Sequence, residues 1–141
     1  MHCFLFQDWL TLRSPGATLA GSVTQSEFNW LDVSPYQDVV AWLRVSDVVG
    51  PTSTTSLYID FQTAPAKDES YFSSLLNPLG TAASGFPLAA SASPSVLRFM
   101  HDGAYTPLSR WLRWKVSTNN VAPTQTWTVT FRIWLAVSYA V

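Results

Sequence analysis

Few side chains in this sequence are spaced so that they could carry out catalysis. Nucleophilic hydrolysis needs a base within hydrogen-bond reach of a serine or cysteine, and His101 is the best-placed candidate for that base. Serines are abundant, but there is no G-x-S-x-G motif, and His101 stands where a strand should run into the turn Asp102-Gly103. We therefore interpret His101 as a residue without a catalytic role and predict that the protein is not an enzyme.

The possible metal ligands and paired carboxylates are dispersed along the chain. His2 and Cys3 are adjacent, but a zinc site requires three or four ligands at set spacing. The acidic residues could supply a carboxylate pair for glycoside hydrolysis or oxygen ligands for calcium. They are scattered, however, and all but two are Asp, which turns favour independently of function. With no glycine-rich phosphate loop either, the sequence predicts neither a metal nor an organic cofactor.

Aromatic and basic residues are concentrated near the end of the chain. The cluster comprises Arg110, Trp111, Arg113, Trp114, Lys115, Arg132 and Trp134. It could be a cation–π face that only stabilises a sheet, a platform on which sugars or bases stack, or a protein interface, where Trp and Arg are favoured anchors. The candidate interface residues are Trp111, Arg113, Lys115, Arg132 and Trp134, together with Phe4 and Phe6 of the apolar N-terminal segment.

Two long strands should position this cluster. Residues 126–139 alternate between apolar and polar with a period of two, and residues 110–117 do the same, as half-buried strands do. The polar segment between them contains Asn119, Asn120 and Pro123, which suit a turn. We therefore predict a long C-terminal hairpin. If its strands pair, the outward residues of both would share one face.

The rest of the chain also carries strand and turn signals. Strands are predicted at residues 4–12, 17–23, 27–33, 39–49, 54–63 and 95–100. The strands 39–49 and 54–63 should form an antiparallel hairpin around GPTSTT. In the first of these strands, Val39, Ala41, Leu43 and Val45 face one way, while Val40, Trp42, Arg44 and Ser46 face the other.

One short helix is expected from Asp68 to Leu76, capped by Asp68, and residues 79–94 are predicted to be a long loop with room for an edge strand. These elements together predict an all-β fold, an antiparallel β-sandwich or jelly roll of about eight or nine strands. We expect a single domain spanning residues 1–141.

The composition is typical of a protein that buries part of its surface against partners. Charged residues make up 12% of the chain and aromatic residues 14%, whereas soluble domains usually have roughly 25% charged residues. The net charge of −1 gives no electrostatic reason for nucleic-acid binding. No apolar run is long enough to span a membrane as a helix. We expect neither nucleic acid nor a membrane as a partner.

The N-terminal region and the cysteine content indicate the cellular setting. Cys3 is the only cysteine, so the chain cannot form an internal disulfide, and secretion through an oxidising route is unsupported. Residues 1–10 are apolar but lack Lys and Arg and are interrupted by Asp8, so we expect no signal peptide. The protein should be made and used inside a cell, or assembled there into a particle.

Four segments resemble the jelly-roll modules of tailed-phage virions, some of which are similar to the galactose-binding, discoidin-like sandwich. They are VVAWLRVSDV (39–48), SLYIDFQTAPAKDESYF (56–72), SRWLRWKVS (109–117) and WTVTFRIWLAV (127–137). The resemblance covers about two-thirds of the chain. It implies a small accessory virion protein, such as a capsid decoration or cement protein, assembled in the host cytoplasm. The loop residues that sugar-binding members use have no counterparts that we can map here.

Three functional hypotheses follow. The first is a structural, non-enzymatic protein that assembles with copies of itself, as a trimer or ring, and with a larger scaffold such as a major capsid protein. The second is a carbohydrate-binding module, suggested by Trp and Tyr beside Asp and Asn in loops. The third is a small hydrolase, which depends on His101 alone.

Overall fold

The computed structural model describes residues 2–14, 22–49, 57–75, 86–88, 95–101, 108–118 and 126–139. Within these ranges nearly all regular structure is β-strand, which confirms the predicted all-β class. The strands are β1 (His2–Arg13), β2 (Val23–Thr24), β3 (Leu31–Asp32), β4 (Tyr36–Val49), β5 (Leu57–Ala64), β6 (Ser73–Ser74), β7 (Phe86–Leu88), β8 (Ser95–His101), β9 (Trp111–Thr118) and β10 (Thr128–Tyr139). Two short 3₁₀ turns lie at Glu27–Asn29 and Glu69–Tyr71.

The strands form two antiparallel sheets that pack face to face as a sandwich. The four-stranded sheet has the order β1-β10-β4-β8. The six-stranded sheet has the order β2-β9-β5-β6, with β3 also paired to β9 and β7 to β5. Among the described residues, therefore, both edges of the six-stranded sheet consist of strands of two or three residues. Very short edge strands limit unwanted pairing with other chains.

The hydrophobic core lies between the sheets because β4, β5, β9 and β10 each bury about every second side chain. The inward residues of β4 are the ones that the sequence pattern predicts, and those of β5, β9 and β10 are almost fully buried as well. Trp114 of β9 meets Phe131 of β10 edge to face, with ring centroids 5.2 Å apart. The indole N–H of Trp114 donates to Oε1 of Gln7 at 3.3 Å, so this buried polar group has a partner.

The two C-terminal strands do not form the predicted hairpin. β10 pairs with β1 and β4, whereas β9 pairs with β5 in the other sheet. The predicted hairpin between residues 39–49 and 54–63 is wrong for the same reason, because β4 and β5 also lie in different sheets. Alternation of polar and apolar residues shows that one face of a strand is buried. The same alternation is found whether the next strand pairs with it in one sheet or crosses to the facing sheet, so the pattern does not distinguish the two.

The predicted helix at residues 68–76 is replaced by a 3₁₀ turn and a short strand. Asp68 does cap the turn, since its carboxylate accepts a hydrogen bond from the Ser70 N–H at 2.9 Å. Beyond the turn, β6 pairs with β5, and the Leu75 N–H donates to the Phe61 carbonyl at 2.8 Å. Pairing with the sheet edge outweighs a helix of about two turns, which is marginal on its own.

The remaining predicted elements are found in part. The predicted strand 27–33 contains a 3₁₀ turn, and only β3 within it pairs with a neighbour. The strand predicted at 95–100 is confirmed as β8, and β7 falls inside the predicted loop 79–94. Most of the weak strand 17–23 lies outside the described residues.

Candidate interaction surface

The structure places the outward-facing candidate residues on opposite sides of the sandwich. Arg132 and Trp134 project from the four-stranded sheet, because the residues that alternate with them in β10 form the core. Trp111, Arg113 and Lys115 project from the six-stranded sheet, because the residues that alternate with them in β9 are buried inside. The single shared face envisaged for these residues does not exist, since their strands do not pair.

Phe4 and Phe6 lie on β1 and are partly buried against the core. Phe4 pairs with the fully buried Leu135 of β10, and Phe6 sits at the first irregularity of the β1–β10 pairing. Their membership of an interface stays a prediction.

Arg113 is enclosed beneath two turns on the outer side of the six-stranded sheet. Its side chain is only 3% exposed, and its Cζ lies 3.8 Å from the centre of the Phe72 ring and 5.2 Å from that of Trp30. Its Nε donates to Oε1 of Gln62 at 2.9 Å, and its terminal nitrogens bind both carboxylate oxygens of Glu69. Arg113 is therefore a structural residue that fastens the turns to the sheet.

The electrostatics of this side follow from the same contacts. The hydrogen bonds from Arg113 hold the pKa of Glu69 below its usual value. Burial raises the pKa of Asp60, although a hydrogen bond from Ser74 and the charge of Lys115 oppose that rise. Lys115 is the direct cross-strand neighbour of Asp60. The charge of Lys115 therefore acts on a carboxylate of the same chain.

Trp111 lies beside Arg113 at the more open rim of the same side. The Lys67 Nζ lies 5.0 Å from the centre of its ring, and the Arg110 Cζ lies 5.5 Å from it. Arg110 also donates to Oδ2 of Asp32 at 3.1 Å. The backbone N–H of Ser34 and then Arg110 stabilise that carboxylate and lower its pKa. The cations around Trp111 are engaged by groups of the same chain.

The outer side of the four-stranded sheet carries an alternating stack of tryptophans and arginines. The Cζ atoms of Arg44 and Arg132 lie 5.7 and 5.9 Å from the centre of the Trp9 ring, and Arg132 lies 5.4 Å from that of Trp134. Trp9 and Trp134 are each 41% exposed, and the half-buried Trp42 is the cross-strand neighbour of Trp134. We call Trp9, Trp42, Trp134, Arg44 and Arg132 the Trp–Arg face.

A bulge in β1 builds one end of the Trp–Arg face. The β1–β10 pairing shifts between Gln7 and Leu10, so that Asp8 and Trp9 both lie opposite Arg132. Such a bulge changes the direction of side chains. Oδ1 of Asp8 lies 3.3 Å from Nε of Arg132, yet this buried nitrogen has no hydrogen-bond acceptor among the described residues. Among the described residues, Nε of Arg132 thus has an ionic contact with Asp8 but no well-aligned hydrogen bond.

The Trp–Arg face also brings two like charges together. Arg44 and Arg132 are directly opposite each other in the β4–β10 register. Like charges in that position are destabilising by roughly 0.2–1 kcal/mol. The Trp9 ring lies close to both guanidinium groups and offsets part of the repulsion through cation–π attraction. The Asp8 carboxylate, 3.3 Å from Nε of Arg132, offsets a further part of it.

The sequence-predicted site omitted Trp9, Trp42 and Arg44. The alternation in residues 39–49 does place Trp42 and Arg44 on the outward side. What it cannot show is that β4 lies beside β10, which brings them to Arg132 and Trp134. The position of Trp9 depends on the bulge, for which the sequence gives no signal.

The candidate metal ligands and histidines are not gathered into a site in the described part of the chain. No group of three or more His, Cys, Asp and Glu residues among them could hold a metal ion. Cys3 is an exposed free thiol, and the His2 ring packs edge to face on Tyr139 with centroids 4.9 Å apart. His101 ends β8. Nor do the described elements include a helix long and apolar enough to cross a membrane.

Comparison with known proteins shows similarity of structure without similarity of sequence. No protein-family model and no curated protein matches the chain. A chain in the structure of the Gx strain of infectious bursal disease virus matches 99% of this chain with a TM-score of 0.51 and 7% identity. The crystal structure of the infectious bursal disease virus VP2 subviral particle gives a TM-score of 0.45 over 98% of the chain, at 8% identity.

This chain spans 32% of the length of each of those solved chains. At 7% identity, the match with the Gx strain establishes the fold alone. The protein therefore has a β-sandwich whose architecture is also found within a chain of infectious bursal disease virus.

Proposed function

We propose that this chain is a structural, non-enzymatic protein of a viral particle and that it acts through protein–protein contacts made by the Trp–Arg face. The observation that carries the proposal is the exposure of that face, on which Trp9 and Trp134 are each 41% exposed. Trp and Arg are the residues most often responsible for the binding energy of protein interfaces. The repulsion between Arg44 and Arg132 would be relieved by a carboxylate from a partner.

The fold and the composition support a role in a particle. The sandwich is shared with a chain of infectious bursal disease virus, and this similarity supports the proposal by analogy. Charged residues make up 12% of the chain, which suits a protein with much of its surface covered by neighbours.

In its most specific form, the proposal is a decoration or cement protein of a tailed-phage capsid. Its partners would be copies of itself, arranged as a trimer or another closed ring, and a larger scaffold such as a major capsid protein. It would assemble in the host cytoplasm and remain in the virion as one domain. The resemblance of residues 39–48, 56–72, 109–117 and 127–137 to phage jelly-roll modules supports this form.

The test is the solution mass of the untagged chain, measured by size-exclusion chromatography with light scattering across a dilution series. We expect oligomers at high concentration and their loss in Arg44→Glu, which reverses a charge on the Trp–Arg face. Arg13→Glu is the matched control, because Arg13 is an exposed arginine of β1 outside the Trp–Arg face. A wild-type chain that is monomeric throughout, or two variants that behave alike, would contradict the proposal.

A carbohydrate-binding module is the second candidate. The observation in its favour is that the half-exposed indoles of Trp9 and Trp134 lie on either side of Arg132, an arrangement that could stack a sugar ring. A glycan array with the wild-type chain tests it, with Trp134→Ala and Trp111→Ala as comparisons. Binding that Trp134→Ala abolishes would favour this candidate, whereas an array without hits would remove it.

A further inference from the structure

We propose that copies of this chain associate head to tail, so that the Trp–Arg face of one copy receives two turns on the opposite side of the next copy. The inference depends on the proposed function, because it takes the Trp–Arg face to be a protein-binding surface. It adds the identity of the partner, which is a second copy of this chain, and the part of that copy that makes the contact.

The Trp–Arg face is poorly suited to bind its own equivalent. Two-fold symmetric association would bring the Trp–Arg face of one copy against the same face of its partner, so that Arg44 and Arg132 of both copies would enter one interface. Asp8 is the one carboxylate that contacts an arginine of this face in the described structure. Because like charges across an interface strongly disfavour binding, the complementary surface must supply carboxylates together with apolar groups.

The opposite side of the sandwich offers such a surface. The turn Glu27–Asn29 presents Phe28, which is 96% exposed, and the turn Glu69–Tyr71 presents Tyr71, which is 58% exposed. The side chain of Glu27 is 63% exposed and that of Glu69 is 68% exposed. Asp68, also exposed, precedes the second turn. We call residues 27–29 and 68–71 the aromatic–acidic turns.

The two surfaces differ in the charges that they leave unpaired. On the Trp–Arg face, Arg44 and Arg132 stand against the carboxylate of Asp8 among the described side chains. On the aromatic–acidic turns, Lys67 contacts Glu27, the buried Arg113 binds Glu69 and the charge of Lys115 also acts on Glu69, whereas the exposed carboxylate of Asp68 contacts no cation in the described part of the chain. Phe28 could then insert beside the half-exposed tryptophans while the neighbouring carboxylates approach the arginines.

The aromatic–acidic turns are held in place before any partner arrives. The indole N–H of Trp30 donates to the Gln25 carbonyl at 2.9 Å, and its ring packs on Phe72 with centroids 4.6 Å apart. The second turn is fastened by the contact of Glu69 with Arg113. Because a rigid turn loses little conformational entropy on binding, an exposed phenylalanine on it is an effective anchor.

A contact in which one side of a sandwich binds the opposite side of the next copy is heterologous. Repetition of such contacts generates a ring if the rotation between copies closes and an open chain if it does not. Either arrangement suits a protein that lines or decorates a particle. A heterologous contact also makes a prediction that no two-fold contact shares: two variants with different damaged surfaces should rescue each other.

The experiment uses a face variant, Arg44→Glu with Arg132→Glu, and a turn variant, Phe28→Ser with Tyr71→Ser. We expect each variant alone to remain monomeric at concentrations where the wild-type chain assembles. An equimolar mixture should form a dimer and nothing larger, because only one intact pair of surfaces remains. Light scattering measures the masses, and Arg44→Glu alone serves as a milder face variant that retains the partly buried Arg132.

The possible outcomes separate this inference from the proposed function. If the wild type assembles and the face variant does not, but the turn variant assembles normally, the Trp–Arg face binds something other than the turns and the inference is overturned. A mixture of the two variants that stays monomeric also overturns it. A wild-type chain that is monomeric at every concentration contradicts the inference and the self-assembly in the proposed function together.

Discussion

Replacement of Arg113 by Ala should destabilise the protein more than replacement of any exposed arginine. The side chain of Arg113 is 3% exposed and joins β9 to both 3₁₀ turns of the six-stranded sheet. Alanine would remove the guanidinium group that lies over the Phe72 ring, its hydrogen bonds to Gln62 and Glu69, and the buried aliphatic stem. The turns would then lose their main attachment to the sheet.

The size of the effect follows from how exposed each partner is. Glu69 is 68% exposed, so water can replace most of its interaction with the arginine. Gln62 is half-buried and would lose the donor to its Oε1, which costs about 1 kcal/mol. Loss of the cation–π contacts with Phe72 and Trp30 and of the packed stem adds about 1–3 kcal/mol. We therefore expect the free energy of unfolding to fall by about 3 kcal/mol.

Urea unfolding followed by tryptophan fluorescence measures this change. With a slope of about 2 kcal/mol per molar urea, the midpoint should fall by roughly 1.5 M. Arg113→Met should lose less, because it keeps the apolar stem, and the exposed Arg13→Ala should shift stability by less than about 0.5 kcal/mol. If Arg113→Ala remained within about 0.5 kcal/mol of the wild type, the claim that this arginine fastens the turns would be refuted.

Three further predictions concern pH and packing. Arg113 lowers the folded-state pKa of Glu69, so this pair stabilises the protein above the ordinary glutamate range, and the stabilisation is lost as pH falls through the lowered pKa. Glu69→Gln should therefore lower the stability at pH 7 and make the stability fall less steeply in acid. Urea midpoints from pH 3 to pH 7 measure both effects. Burial raises the pKa of Asp60, so its ionisation destabilises the folded state as pH rises above the ordinary aspartate range. Asp60→Asn should therefore raise the thermal midpoint at pH 7 and leave it unchanged at pH 3. An equal effect at both pH values would contradict a raised pKa for Asp60. Phe131 is fully buried and Trp134 is 41% exposed on the same strand. In urea unfolding, Phe131→Ala should lower the free energy of unfolding by about 3–5 kcal/mol and Trp134→Ala by about 1 kcal/mol or less. Equal losses would contradict the assignment of Phe131 to the core and Trp134 to the surface.

Most long strands could be located from the sequence because alternation of polar and apolar residues is a local property. Residues 39–49 and 126–139 alternate so regularly that β4 and β10 are found almost in full, with the expected residues inward. β5 and β9 follow the same rule, whereas β1 is interrupted by two irregularities in its pairing with β10 and buries no side chain fully. The two-layer class follows as well, since strands with one apolar face must bury it against another layer.

Local patterns gave wrong predictions where the backbone N–H and C=O groups of a segment could form hydrogen bonds in two different ways. Residues 68–76 have helical spacing and a good cap, but pairing of β6 with β5 competes successfully for their backbone groups. Residues 27–33 contain strand-forming side chains, yet the chain turns at Glu27–Asn29 and places Trp30 over Arg113. Which alternative is lower in free energy depends on the neighbouring strand, which is distant in the sequence.

The candidate site shows what the sequence determined by itself and what required the tertiary structure. The alternation in residues 110–117 and 126–139 determines by itself which side chains share a face, and it sets Trp111, Arg113, Lys115, Arg132 and Trp134 on the faces opposite the most apolar residues. Only the tertiary structure decides that Arg113 is covered by two turns while Arg132 stays at the surface beside Trp9 and Arg44. The physical reason is that exposure of an outward side chain depends on which remote segments pack over its sheet. Strand pairing between distant parts of the chain determines which segments these are. The alternation of polar and apolar residues within one strand carries no information about that pairing.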